Sequence, residues 1–181
     1  MKQAQKVTTR FPIASDLGAD HIKRLSDVIN EVYADAESGM WKRQGARTNP
    51  AEVERLLRTQ ALILAEIDGV LVGSVKVNLM RDGVGEFGML VADLHHRGKG
   101  IGSALVDRAE NWARGMACHT MRLELLTPRH WTHPSKEFLK QWYARMGYQP
   151  QATESFERRQ PALVPALATE CDFTVWHKFL A

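Results

Sequence analysis

The segment Glu86-Phe-Gly-Met-Leu-Val-Ala-Asp-Leu-His-His-Arg97-Gly-Lys-Gly100-Ile-Gly102-Ser-Ala-Leu105 constrains this chain more than any other stretch. An apolar run rich in strand formers ends at a polar corner, and three alternating glycines then open a helical pattern. Backbone N–H groups at a helix start have no intrahelical partner, and the helix dipole makes that end positive. With no side chains at Gly98, Gly100 and Gly102, a large anion can lie directly on the peptide backbone. Arg97 and Lys99 add two cations at the same place. The pattern predicts a strand–loop–helix unit whose turn cradles a phosphate or pyrophosphate.

Glycine spacing narrows the choice of anion. A dinucleotide fingerprint requires G-x-G-x-x-G, whereas here the glycines run G-x-G-x-G and are followed by Ser103 and Ala104. The nucleotide P-loop requires Ser or Thr after its Gly-Lys and a glycine well upstream. Here Gly100 follows Lys99, and Asp93 stands at the upstream position. Both of the commoner nucleotide loops are excluded.

At 181 residues the chain has the size of one domain with a substantial core, and we read residues 1–181 as a single domain. A composition of 44% hydrophobic and 25% charged residues argues against disorder. No run approaches the ~18 to 20 apolar residues of a membrane span. The start, Met-Lys-Gln-Ala-Gln-Lys-Val, lacks a secretory apolar stretch, so a cytoplasmic location and no membrane partner are expected. Cys118 and Cys171 lie far apart, which suggests buried small hydrophobes rather than a metal site or redox pair. A net charge of +3 suits an anionic ligand but is too small and scattered to argue for nucleic acid.

Along the chain, Val7 to Phe11 reads as a strand. Ser15 or Asp16 is placed to cap a helix with apolar positions Ile22, Leu25, Val28, Ile29 and Val32. Glu37 to Arg47 reads as a loop, and Asn49-Pro50 opens a short helix to Arg58. Ala61 to Ile67 and Val70 to Leu79 form a hairpin around Asp68-Gly69, and Arg81-Asp82-Gly83 turns into a third strand, Val84 to Ala92. A helix from Ile101 to Met116, a strand from Met121 to Leu126 and a polar aromatic loop from Thr127 to Pro134 follow. The next helix has Phe138, Leu139, Trp142, Tyr143 and Met146 on its expected inward face and stops at Gly147, with Ser135 as its expected N-cap. The tail holds a weak strand near Gln149 to Phe156, a Pro-interrupted segment and a last strand from Phe173 to Phe179. The order predicts an α+β layer fold with a mostly antiparallel sheet, its one parallel pair flanking the crossover helix after the glycine loop.

Two segments give this order a specific resemblance. Arg97-x-x-Gly100-x-Gly102 is similar to the acetyl-CoA pyrophosphate loop of the GCN5-related N-acetyltransferase (GNAT) superfamily. Phe138-Leu-Lys-Gln-Trp-Tyr143-Ala-Arg-Met-Gly147-Tyr148 resembles that family's late helix, which ends in Tyr-x-x-x-Gly-Phe/Tyr. The resemblance covers essentially residues 7 to 180. It implies the GNAT (acyl-CoA N-acyltransferase) fold, with a mixed, mostly antiparallel sheet of about six or seven strands flanked by about four helices.

It also implies roles for particular residues. Backbone groups of Leu90, Val91 and Ala92 would bind the pantetheine arm, while Arg97, Gly98, Lys99, Gly100, Ile101, Gly102 and Ser103 would hold the pyrophosphate. Tyr143 stands where the family keeps the acid that protonates the departing sulfur. A phenol with a pKa near ~10 suits a thiolate of similar basicity. Glu86 stands where many relatives carry a base that deprotonates the amine through water. Period-two alternation would place Glu86, Gly88, Leu90 and Ala92 on one face of the strand, with Phe87, Met89 and Val91 on the other. The family's usual asparagine before the late helix is replaced here by Lys136. His95 and His96 read as a solvated corner. Acceptor recognition would fall to Glu31, Tyr33, Asp35, Glu37 and Trp41, with the tail around Glu170 to Phe173.

The implied function is transfer of an acetyl group from acetyl-CoA, without a metal, to a primary amine of a small molecule or peptide. The transfer would be direct, in a ternary complex. A non-catalytic acyl-CoA-binding sensor of the same fold is the alternative. The acceptor is not identified by the residues, and a homodimer is compatible with the fold.

Overall fold

In the computed structural model, residues 6–181 are described. Seven strands form one mixed sheet in the order β1-β2-β3-β4-β5-β7-β6. They are β1 (Val7–Arg10), β2 (Leu62–Ile67), β3 (Val70–Leu79), β4 (Val84–Ala92), β5 (Thr120–Pro128), β6 (Gln149–Ser155) and β7 (Cys171–Phe179). The helices are α1 (Ala19–Ala36), α2 (Pro50–Arg58), α3 (Ile101–Gly115), α4 (Pro134–Arg145) and the single turn α5 (Phe156–Arg159). Every strand pairing is antiparallel except β4–β5, which is parallel and joined by the crossover helix α3. No helix among the described residues is long and apolar enough to cross a membrane.

Local chemistry explains the elements that frame the site. Asp68 and Gly69 both take positive φ, 51° and 77°, the two-residue turn whose twist matches a β-hairpin. Asn49 caps α2 by accepting from the amide of Glu52 at 3.0 Å, with Pro50 at the first helical position. Three expected details differ. Gly18 precedes α1, while Ser15 and Asp16 lie in a 3-10 turn ahead of it; buried Asp16 is drawn instead into a pair with half-buried Arg10. His133, not Ser135, caps α4, because its Nδ1 accepts from the amide of Ser135. Phe138 points outward, 59% exposed, since α4 turns Leu139, Trp142, Tyr143 and Met146 toward the sheet.

The sheet divides the core. On one face α3 and α4 cover Val75, Val77, Phe87, Met121, Leu123 and Leu125. On the other face α1 and α2 close over Leu62, Leu64, Leu71, Met89 and Val91. A third cluster on that second face joins Met40 to Leu126, Phe156, Leu167 and Cys171. Burying each large side chain contributes roughly 1.5–3 kcal/mol. Between these last two clusters the sheet carries charges instead of apolar groups, and that strip belongs to the site.

Candidate functional site

β4 and β5 pair only from Val84↔Thr120 to Glu86↔Arg122. Beyond Glu86 the two strands part, although β4 stays registered with β3 to Ala92 and β5 with β7 to Pro128. The result is a fork in the middle of the sheet. A bulge on β4 marks where it opens: the β3 register shifts between Ser74 and Lys76, and Met89 takes φ 48°.

The bulge also overturns the expected alternation. Glu86 lines a cavity with Met89 and Arg47 on the α1/α2 side, and Met89 and Val91 belong to the core beneath those helices. Phe87, Leu90 and Ala92 pack on the α3/α4 side. The inserted residue reverses the pleat, so Glu86 shares its face with Met89 and Val91, not with Leu90 and Ala92.

The backbone at the fork has free polar groups. The amide of Asp93 donates to Val72 at 2.8 Å, which makes that a hydrogen-bonded pair. Two residues back, Val91 opposite Ser74 is the next such pair, so its polar backbone groups are engaged with β3. The N–H and C=O groups of Leu90 and Ala92 therefore face the gap, where β5 has moved away.

At the C-terminal end of β4 the chain enters the glycine loop. Asp93 is buried, accepts from the amide of His95 at 2.9 Å and pairs with Arg24 of α1 at 2.5 Å, which anchors the corner. Gly98 and Gly100 adopt φ 78° and 77°, and nothing stands within 4 Å of where a Cβ would lie. These two positions need glycine for backbone conformation and leave the peptide open above them. Gly102 differs: a Cβ there would meet the Trp142 ring at 3.3 Å, so this glycine lets α3 approach α4. The side chain of Ile101 is buried in the core, which leaves only its backbone available to a ligand. Arg97 is exposed and pairs with Asp35 of α1 at 2.6 Å.

Tyr143 projects from α4 against Phe87 of β4, ring centroids 6.1 Å apart, and against Tyr148 at 6.0 Å. It is 6% exposed, and its hydroxyl makes no hydrogen bond to a described residue. Burial, aided by nearby Tyr33, raises its pKa well above that of an ordinary phenol, so it stays protonated but is a weaker acid than the near-matched phenol expected from the sequence. Tyr148 is satisfied differently, donating to buried Glu110 at 2.8 Å. Of these two tyrosine hydroxyls, Tyr143's is the one not given to a carboxylate among the described residues.

Across β4 from Tyr143 lies the charged strip. Glu86 meets the guanidinium of Arg122, its lateral neighbour on β5, and Arg122 also engages Glu124. Glu124 in turn accepts from Arg159 at 2.5 Å. Above this row, Arg47 lies over the Tyr33 ring, 5.0 Å from its centroid. Arg47, Lys76, Asn78, Glu86, Gly88 and Met89 line a cavity of about 190 Å³. The sequence marked Glu86 and Tyr33 but missed Arg47, Lys76 and Arg122. A signal for Arg122 was present: Arg122 and Glu124 alternate with apolar residues on a strand otherwise built for the core.

The other expected acceptor residues are dispersed. Glu37 accepts from the Trp41 indole at 2.7 Å and lies 3.4 Å from Lys136, whose ammonium is buried and whose pKa burial lowers. Asp35 and Glu31 face the loop side chains Arg97 and His95. Glu170 pairs with His130 at 2.5 Å, beside a separate cavity of about 330 Å³ lined by Arg129 to His133. Both cysteines are free and buried, and burial raises the Cys171 thiol to about 11. No group of His, Cys, Asp and Glu placed to hold a metal ion occurs among the described residues.

Residues 27–148 match the family model described as the acetyltransferase (GNAT) family. No curated protein matches the chain in sequence. Among solved structures, the fold is shared with Salmonella typhimurium yncA, solved with its cofactor acetyl-CoA. That match has a TM-score of 0.69 and 15% identity, over 97% of this chain and 95% of the other. The PaiA N-acetyltransferase of Thermoplasma acidophilum, in complex with coenzyme A, matches with a TM-score of 0.69 and 16% identity, over 96% and 99%. A ribosomal-protein-alanine N-acetyltransferase of Brucella melitensis gives 0.68 and 16%, over 96% and 99%.

Proposed function

This chain belongs to the acetyltransferase (GNAT) family, and we propose that it transfers an acetyl group from acetyl-CoA directly to a primary amine in a ternary complex. The observation that carries this reading is the fork. A sheet normally satisfies its strand edges. Here the inner edge of β4 is left open at Leu90 and Ala92, and it leads into the glycine loop at one end and past Tyr143 at the other. An extended pantetheine arm fits such an edge as an added strand. The amides around Gly98 to Ser103, with Arg97 and Lys99, suit its pyrophosphate.

The thioester supplies an activated acyl carbon. The amine nitrogen bonds to that carbon as the carbon–sulfur bond breaks, and the amine loses one proton. Glu86 takes that proton through water and returns it to solvent. Tyr143, held protonated by its burial, gives its hydroxyl proton to the sulfur and is reprotonated from solvent. The backbone N–H of Leu90 or Ala92 supplies a donor to the carbonyl oxygen where negative charge grows.

The test is thiol release from acetyl-CoA in the presence of a panel of primary amines. Turnover with at least one amine supports the reading, and charge reversal at Arg97 should weaken coenzyme A binding about tenfold. Tight coenzyme A binding with no thiol release for any amine would favour the sensor alternative.

A further inference from the structure

The cavity beside Glu86 has more positive charge than its own carboxylates neutralise. Successive registers place its groups in two rows across the sheet. Asn78, Glu86 and Arg122 are lateral neighbours on β3, β4 and β5; Lys76 stands opposite Gly88 in the next row, at the bulge where the fork opens. Glu86 and Glu124 are balanced by Arg122 and Arg159. Arg47 and Lys76 remain. Neither forms an ion pair with a described residue; Arg47 rests on the Tyr33 ring, and both lie within electrostatic reach of Glu52. Glu52 is already held by Arg55 through two hydrogen bonds of 2.8 and 2.9 Å, so that carboxylate and guanidinium neutralise each other. Two cations without a carboxylate of their own line a cavity of about 190 Å³.

From this we infer that the acceptor is a small amine carrying an anionic group close to its nitrogen, as a free amino acid does; the inference rests on the acetyltransferase reading above. Its carboxylate sits between Arg47 and Lys76, with the Asn78 amide as a further donor. Its amine points past Gly88 toward the fork, on the face that Glu86 shares. A planar guanidinium and an ammonium lining one small cavity suit a carboxylate. The arrangement disfavours a polyamine, whose second charge would meet Arg47 and Lys76. It also disfavours a peptide N-terminus, which carries a neutral amide where the free amino acid carries its charge.

The experiment compares L-amino acids with their own carboxamides as acceptors, following thiol release from acetyl-CoA. The free acids are expected to exceed their amides in kcat/KM by about tenfold or more, through KM, with the gap narrowing as salt rises. Arg47→Gln and Lys76→Gln each reduce that ratio severalfold, the double variant brings it close to one, and Lys76→Arg restores it. Amides or polyamines used as well as free acids, or a ratio unmoved in the double variant, overturns the inference. Product binding gives an arm independent of turnover. With coenzyme A present, an N-acetylamino acid raises the melting temperature of the wild type and not of the double variant. If no amine is acetylated, the transfer reading fails by itself, and the N-acetylamino acid arm still decides for or against the anion site.

Discussion

Arg97, the first side chain of the glycine loop, donates to Asp35 on α1 at 2.6 Å. The two residues lie 62 positions apart, and the pair joins Arg24–Asp93 and Glu31–His95 in tying α1 to this corner. A pyrophosphate held on the loop amides, as proposed above, would compete with Asp35 for the same guanidinium and meet its negative charge.

The first prediction follows from that competition. Both partners are largely exposed, so the pair itself contributes little, of the order of 0.5 kcal/mol. Asp35→Asn is expected to tighten coenzyme A binding by about two- to fivefold, measured by calorimetry, with a larger gain at low salt. Unchanged or weaker binding would show that Asp35 positions Arg97 rather than occupying it.

Tyr143 yields a second expectation because its hydroxyl has no hydrogen bond to a described residue to lose. Tyr143→Phe should therefore unfold at nearly the wild-type temperature while kcat falls by about a hundredfold or more. Its pKa is raised by burial, so the neutral phenol persists and the wild-type rate should show no falling limb below about pH 10. A variant that keeps full turnover would remove Tyr143 from the acid's role.

Much of this architecture was legible because short-range chemistry dictates it. Asp68-Gly69 specifies its hairpin, Asn49-Pro50 its helix start, and the glycine loop its strand–helix corner. What escaped depends on long-range geometry. Alternation cannot see the bulge at Met89, since nothing in a run of apolar residues announces an extra one, and a single inserted residue moved Glu86 to the other face from Leu90. Lys136 read only as a missing asparagine. Its burial against Glu37 follows from the segment just after α1 reaching the first turn of α4, a long-range contact that no local pattern encodes.

That buried pair carries the third prediction. Lys136 and Glu37 are nearly excluded from water, and burial already lowers the lysine's pKa. Removing one partner leaves an uncompensated charge, so Glu37→Gln is expected to cost about 3 kcal/mol in urea unfolding. Replacing both, Lys136→Met with Glu37→Gln, removes the desolvation cost of the ammonium as well as its partner and should recover most of that loss. A double variant no more stable than the single one would mean that the two charges are not coupled.

The last prediction concerns acid stability. Asp16 is 2% exposed, accepts from both terminal nitrogens of Arg10 at 2.6 and 2.9 Å, and also accepts from the amide of Ile13 at 2.7 Å. His21 approaches it at 3.4 Å, and Glu66 shares the Arg10 guanidinium. The hydrogen bonds from Arg10 are the main reason its carboxyl sits below the ordinary value of 3.8. A depressed carboxyl binds its proton less readily in the folded chain than in the unfolded one. Its contribution is therefore complete above the unfolded pKa and is lost as pH falls through the folded one. Asp16→Asn should cost about 2 kcal/mol near pH 7. The gap between variant and wild type should then narrow steadily below about pH 4, where the wild-type carboxyl begins to take up its proton. Urea midpoints measured across that range test it. A gap that stays constant with pH would assign Asp16 a packing role, with the charge on Arg10 answered by Glu66 alone.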